Sequence, residues 1–221
     1  MRISKRLLKC AEYVSPYRKV ADVGTDHALL PIYLIEANIA DKVIASDVRK
    51  GPINAANRNI LESNTKDKIE IVLSDGIEHI KEEVDCLIIS GMGGKLISEI
   101  LNHDNLNNIT RLILQPNVAS NILRAFLQEK KFKILKEEII IDNDLVYEIL
   151  VCERGEMKLS EKEFIFGPFL IKEKSELFIS HWVNELEKLE KVLLNVPVNH
   201  ENYNKLVQQV YLIKEVLHET N

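Results

Sequence analysis

The sequence predicts a doubly wound α/β domain followed by a smaller helical unit, and three observations carry that reading. Five short apolar runs, each followed by a helical pattern, recur between Val20 and Gln115. Each run ends in small or polar residues, which in a mostly parallel sheet would gather on one rim, where ligands bind. Beyond Ser160 the strands stop, and apolar residues recur at three- and four-residue steps in two long stripes. The expected division is residues 1–158 for the α/β domain and 159–221 for the helical one.

Composition sets the bounds. A chain of 221 residues suffices for one α/β domain with an appendage. With 46% hydrophobic and 29% charged residues it has globular rather than disordered character. No apolar run approaches the ~20 residues of a membrane span, and the N-terminus has no signal-peptide core, so a cytoplasmic, membrane-free protein is expected. Cys10, Cys86 and Cys152 are an odd number without CxxC spacing, which argues against disulfides and a zinc site; no metal is expected. The net charge of −5 is unevenly spread, with ten Lys/Arg against six Asp/Glu in residues 1–60. Arg2, Lys5, Arg6, Lys9, Arg18 and Lys19 oppose Glu12 alone at the N-terminal end. A local basic face can bind phosphates on an acidic protein, because charges are screened beyond ~8 Å. A solvated helix face is the other reading.

The elements follow in order. Ile3 to Val14 forms an amphipathic helix, with Ile3, Leu7, Leu8, Ala11 and Val14 on one side and Lys5, Arg6, Lys9 and Glu12 on the other. Ser15-Pro16 stops it. Val20–Val23 is the first strand; a turn containing Gly24, Asp26 and His27 leads into a helix over Ala28–Ala37, with Pro31 in its first turn. Lys42–Asp47 is the second strand, and a helix with Pro52 near its start follows. Ile69–Leu73 is the third strand, ending in Ser74-Asp75-Gly76. The fourth, Asp85–Ser90, turns through Gly91-Met92-Gly93-Gly94 into the helix Lys95–Leu101. The fifth, Arg111–Gln115, ends in Pro116-Asn117-Val118 before the helix Ala119–Lys130. Phe132–Asp142 and Leu145–Glu153 read as a hairpin closing one sheet edge. After a capping box at Ser160–Glu163 and a break at Gly167-Pro168, a long helix reaches about Asn195, with Phe178, Trp182, Leu186, Leu189 and Leu193 on one stripe. Tyr203, Leu206, Val210, Ile213 and Leu217 form a matching stripe, so a coiled-coil-like helical hairpin is expected. It suits contact with a substrate, packing on the first domain or weak dimerisation, and its pattern does not choose among them.

The rim carries the chemistry. Strand, glycine turn and helix open a mononucleotide-binding unit. Asp47 lies 23 residues after Gly24, near the ~20-residue offset at which an acid takes the ribose hydroxyls of an adenosine cofactor. Asp47 and Asp75 also suit plain strand-end turns. The phosphate signature G-x-G-x-x-G is absent: Thr25, Asp26, His27 and Ala28 follow Gly24. A pyrophosphate would meet Asp26, which is electrostatically poor; a cofactor carrying a sulfonium and an ammonium suits an acidic loop. Gly91, Met92, Gly93 and Gly94 offer either a ligand wall that the backbone can approach closely or a tight turn.

With its terminal antiparallel pair, the chain resembles the class I S-adenosylmethionine-dependent methyltransferases, whose Rossmann-like sheet has seven strands. The segments DVGTDHALLPIYL, ASDVRKGPINAANRN, SDGIEHI, ISGMGG and LQPN, in this order and ahead of a helical extension, resemble more closely the bacterial TrmK family. That resemblance implies S-adenosylmethionine as methyl donor, tRNA as substrate, and N1 of adenine 22 as acceptor. It implies Asp22, Gly24 and Asp26 at the methionine end of the donor, Asp47 and Val48 at the ribose, Asp75 and Gly76 at the adenine, and Gly91 and Met92 beside it. Asp26, His27, Gln115 and Asn117 are the expected catalytic set, with His27 equally readable as a helix cap. Lys5, Arg6, Lys9, Arg49, Gly93 and Gly94 are the expected substrate contacts. Methylation of another RNA or a small molecule, and RNA binding without catalysis, are the competing readings.

Overall fold

A single seven-stranded sheet organises the first unit of the structure, a computed structural model that describes residues 3–80 and 84–219. The basic residue Arg2 lies outside the described residues. Strands β1 (Lys19–Val23), β2 (Lys42–Asp47), β3 (Ile69–Leu73), β4 (Cys86–Gly93) and β5 (Arg111–Val118) run parallel. Strands β6 (Phe132–Asp142) and β7 (Leu145–Arg154) join as an antiparallel pair, giving the order β3-β2-β1-β4-β5-β7-β6. The chain steps from β1 to β2 and β3 on one side, then returns to β4 and β5 on the other. The boundary between β1 and β4 is therefore the topological switch point, where doubly wound sheets bind ligands.

The central strands are continuous apolar runs because helices cover both faces. Val20, Ala21, Val43, Ala45, Leu112, Ile113, Leu114 and the stretch Cys86–Ile89 are all 0–1% exposed. All three cysteines are buried and free, and burial pushes the Cys10 thiol up to about 12, which keeps it unreactive. The helices of this unit are α1 (Lys5–Glu12), α2 (Leu29–Glu36), α3 (Lys50–Glu62), α4 (Gly94–Leu101) and α5 (Ser120–Glu129). The β6–β7 hairpin turns through Asn143 (φ 49) and Asp144 (φ 62), a left-handed pair that Asn and Asp tolerate. Arg124 of α5 lies fully buried between Glu137 of β6 and Glu148 of β7, 2.7 Å from each, and so fastens the hairpin to the helical layer.

Several boundaries differ from the sequence reading. Helix α1 starts after Ser4, whose hydroxyl accepts from the Leu7 N–H at 3.4 Å, and ends at Glu12 rather than Val14. Helix α2 starts at Leu29 because Ala28 takes a left-handed conformation, φ 56. Strands β4 and β5 do not stop at Ser90 and Gln115. Met92 pairs with Pro116 and Gly93 with Val118 through register shifts, so the expected turn at Gly91–Gly93 is an irregular strand extension.

The second unit, residues 159–221, contains α6 (Glu161–Phe166), α7 (Pro168–Glu173), α8 (Glu176–Asn195) and α9 (Tyr203–His218). Ser160 and Glu163 form the capping box. The single long helix expected after Pro168 is two helices. Lys174 is left-handed (φ 42) and Ser175 caps α8 by accepting from the Phe178 N–H, which ends one helix and starts the next. Helices α8 and α9 pack on one another, with Lys214 and Glu190 2.6 Å apart across them. On α9 the buried residues are Val210, Ile213 and Val216 rather than Leu217. Among the described residues no helix is long and apolar enough to cross a membrane.

Candidate active site

A cleft of about 380 Å³ opens at the carboxyl ends of β1, β2 and β4, at the switch point. Strand β1 delivers Asp22 to its floor. The N–H groups of Gly24 and Thr25 both donate to the Ser46 carbonyl at 2.8 Å, which ties the loop to β2. Asp26 (φ 53) and Ala28 (φ 56) then turn the chain through the left-handed region into α2. Gly24 (φ 79) has two reasons to be glycine: a Cβ there would be conformationally strained, and it would lie 2.1 Å from Met92 Cε. The Met92 side chain thus reaches across the cleft from β4 onto the loop after β1.

Two acids lie deep. Asp22 is 3% exposed; burial pushes its carboxyl up to about 6, although neighbouring Thr25 and the Arg6 guanidinium pull the other way. Asp47, at the end of β2, is 5% exposed, and its Oδ1 accepts from the Arg49 N–H at 2.9 Å and from Arg49 Nε at 3.4 Å. Asp26 and His27 sit higher, on the exposed lip, with His27 Nε2 and Asp26 Oδ2 3.6 Å apart.

A closed amide network forms the β4–β5 side. The Arg6 Nη1 donates to Gln115 Oε1 at 2.8 Å, and the Gly91 N–H donates to the same oxygen at 3.0 Å. Gln115 Nε2 donates to Asn117 Oδ1 at 3.0 Å, and Asn117 Nδ2 donates back to the Gly91 carbonyl at 2.8 Å. Gln115 is fully buried, whereas Asn117 is exposed.

The structure therefore brings Arg6, Asp22, Gly24, Asp26, His27, Asp47, Arg49, Gly91 and Met92 to one cleft, with Gln115 and Asn117 bonded to its wall. Other expected residues stand apart from the cleft lining. Asp75 and Gly76 lie past the end of β3, and Val48 is 59% exposed. Gly94 is buried, and a Cβ there would meet the Ala119 carbonyl oxygen at 2.2 Å, so its bareness serves the packing of α4 on the end of β5 instead of a ligand wall. Gly93 would place a Cβ 3.6 Å from Val118, an ordinary contact. Lys9 does not project freely: its ammonium sits 2.7 Å from Glu12 and 3.2 Å from Glu138, docking α1 on β6. Lys5 is exposed beside a second recess of about 500 Å³ with Asp142 and Asn143. Arg6 is the main relocation, since the helix wheel set it on an outward polar face and the structure turns it into the cleft. Ser4, Leu7, Thr25, Leu29, Leu30 and Ser90 also line the cleft and were missed. Thr25 and Ser90 were within reach, because they occupy the rim motifs themselves.

A doubly wound sheet closed by an antiparallel hairpin, with acids ending β1 and β2 and no glycine-rich phosphate loop, defines a Rossmann-like methyltransferase. Residues 20–216 match the TrmK family, described as tRNA (adenine(22)-N(1))-methyltransferase. The tRNA (adenine(22)-N(1))-methyltransferase of Bacillus subtilis strain 168 is 33% identical, with 98% of each chain covered. A candidate tRNA (m1A22) methyltransferase of Streptococcus pneumoniae, solved in complex with S-adenosyl-L-methionine, is 43% identical with a TM-score of 0.90, covering 98% of this chain and 100% of its own. TrmK of M. capricolum, solved with S-adenosyl-homocysteine, is 29% identical with a TM-score of 0.91 and 98% of each chain covered. The chain belongs to the TrmK family of tRNA (adenine(22)-N(1))-methyltransferases.

Proposed function

We propose that this protein transfers the methyl group of S-adenosylmethionine to N1 of adenine 22 in tRNA, in the cytoplasm. The observation that carries the proposal is the acid-floored cleft at the switch point of a methyltransferase sheet, in a chain of this family. The relatives solved with the methyl donor and with its demethylated product support the choice of donor.

The residues present fit that donor. Asp22 is a buried carboxylate facing a cavity within the ~300–1,000 Å³ range of small-molecule sites, and an ammonium would neutralise it. The bare Gly24 lets the Met92 methyl close against the loop as one wall of the cleft, and Asp47 suits a ribose diol. Val48 is assigned with Asp47 to the ribose, Asp75 and Gly76 to the adenine end, and Gly91 and Met92 to the wall beside the reacting methyl.

When bound, the donor supplies an electrophilic methyl on a sulfonium. Adenine N1 attacks in line with its lone pair; the N1–CH₃ bond forms as the S–CH₃ bond breaks, the electron pair stays on sulfur, and the base becomes cationic. No proton is removed, so the chain's own residues act by position and charge. N1 lies on the pairing edge, which requires the base to be unpaired and presented to the cleft. Asp26 stabilises the charge arriving on the base, His27 orients it, and Gln115 and Asn117 hold its edge. Lys5 and Arg49 hold substrate phosphates at the rim.

The test offers radiolabelled methyl donor with unmodified bulk tRNA and, separately, with a small-metabolite pool. Label in tRNA alone supports the proposal; label confined to the metabolite pool overturns it.

A further inference from the structure

We propose that Arg6, on the first helix, is a positioning residue that selects adenine by locking the orientation of the Gln115–Asn117 amides. The inference rests on the adenine-methylation reading above and adds a residue from outside the sheet to it.

Donors and acceptors decide the amide orientation. Gln115 Oε1 receives two N–H groups, from Arg6 Nη1 and from the Gly91 backbone. Neither can accept a hydrogen bond, so a flipped carboxamide would set its NH₂ against two donors. Gln115 is fully buried and no water can relieve that conflict. One orientation is therefore enforced, with Nε2 directed to Asn117 Oδ1. Asn117 is fixed in turn, because its Oδ1 must accept from Gln115 while its Nδ2 donates to the Gly91 carbonyl. A carbonyl oxygen has two lone pairs, so Asn117 Oδ1 keeps one acceptor position at the exposed end of the network.

An acceptor there matches the N6 amine of adenine and repels the O6 carbonyl of guanine. Reading the base through N6 also leaves the N1 lone pair free to attack. Without Arg6, Gln115 would lose one of the two donors that fix its amide, and the free acceptor on Asn117 would no longer be held at one position. Arg6 is itself held in place. Its backbone N–H donates to Asp142 at 3.3 Å, its guanidinium lies 5.8 Å over the Tyr147 ring, and Gly91 carries no side chain to obstruct it.

The test is a cycle between protein and substrate. Single-turnover methylation is measured for the wild type and Arg6→Met on tRNA carrying adenosine at position 22, and on the same tRNA with purine riboside there, which lacks the N6 amine. Removing the amine slows the wild type about tenfold or more, and Arg6→Met slows the adenosine substrate similarly. The expected signature is coupling: Arg6→Met loses little more on purine riboside, while its affinity for S-adenosylmethionine stays within about threefold of wild type. Losses that multiply, or a donor affinity that falls as far as the rate, overturn the inference. Should Arg6→Met melt below the assay temperature, Arg6→Lys, which keeps one cationic donor, runs the same cycle with a smaller loss and the same coupling. A wild-type protein that leaves the adenosine substrate unmethylated overturns the functional reading and this inference together; a wild-type protein that methylates it with multiplicative losses overturns the inference alone.

Discussion

Replacing Asp22 by Asn separates what this residue does for folding from what it does for the donor. Its carboxyl is 3% exposed and raised from an ordinary 3.8 to about 6. Holding the charge above that range costs the ligand-free fold about 3 kcal/mol, at ~1.4 kcal/mol for each factor of ten. The sign follows from proton binding. Between about pH 4 and 6 the folded state keeps a proton that the unfolded state has released, so wild-type stability falls as pH rises through that window. Asp22→Asn removes the burden. At about pH 7.5 the ligand-free variant should melt higher than wild type, by at most ~6–12 °C for a chain of this size, and the difference should close as pH falls to about 4. The same change should weaken S-adenosylmethionine binding about 10- to 150-fold, the worth of a hydrogen bond to a charged group at ~1.5–3 kcal/mol. Wild-type affinity should in turn drop as pH falls below about 6. Thermal melts of the ligand-free protein across this pH range and titration calorimetry with the donor read both effects. A variant that melts lower than wild type at every pH, or binds the donor within threefold of wild type, refutes the reasoning.

Gly24→Ala should weaken donor binding in calorimetry by about tenfold, because left-handed strain at φ 79 adds to displacement of the Met92 methyl, whose Cε lies 2.1 Å from the added Cβ; adding Met92→Ala should restore only the part due to that displacement. Asp26→Ala should slow single-turnover methylation by about tenfold or more while tRNA affinity in a filter-binding assay changes little, because the carboxylate acts on charge that appears only during transfer. Arg124→Met should lower stability by ~3–5 kcal/mol in chemical denaturation, because it removes the cation 2.7 Å from the buried Glu137 carboxylate, and the double change Arg124→Met with Glu137→Leu should recover much of the loss.

What could be read in advance follows from locality. Strand ends, the glycine turn after β1 and the acid after β2 are encoded within a few residues of one another, and they converge on the cleft as their positions in a parallel sheet require. The extension of β4 through Gly93 was not legible, because it depends on pairing with Pro116 and Val118 more than twenty residues away. A run of glycines reads as a turn when its partner strand is out of view. The inward turn of Arg6 is hidden for a related reason. A helical wheel sorts polar from apolar faces but cannot tell solvent from a polar cleft, and α1 borders both. The packing demand on Gly94 is not local either, because it comes from the Ala119 carbonyl, on another strand's exit. The break at Lys174-Ser175 was locally encoded: a serine three residues before Phe178 is a helix start, masked here by the apolar stripe running on beyond it.

The proposed activity is methylation of one atom of one base. Incubating the protein with S-adenosylmethionine and an unmodified tRNA transcript, then mapping by reverse transcription, tests it directly, since a methyl on N1 blocks pairing and halts the polymerase. Methylation at N1 should give a donor-dependent stop at adenine 22 that disappears when that base is changed to guanine. A stop at another position, or methyl incorporation with no stop at all, would contradict it.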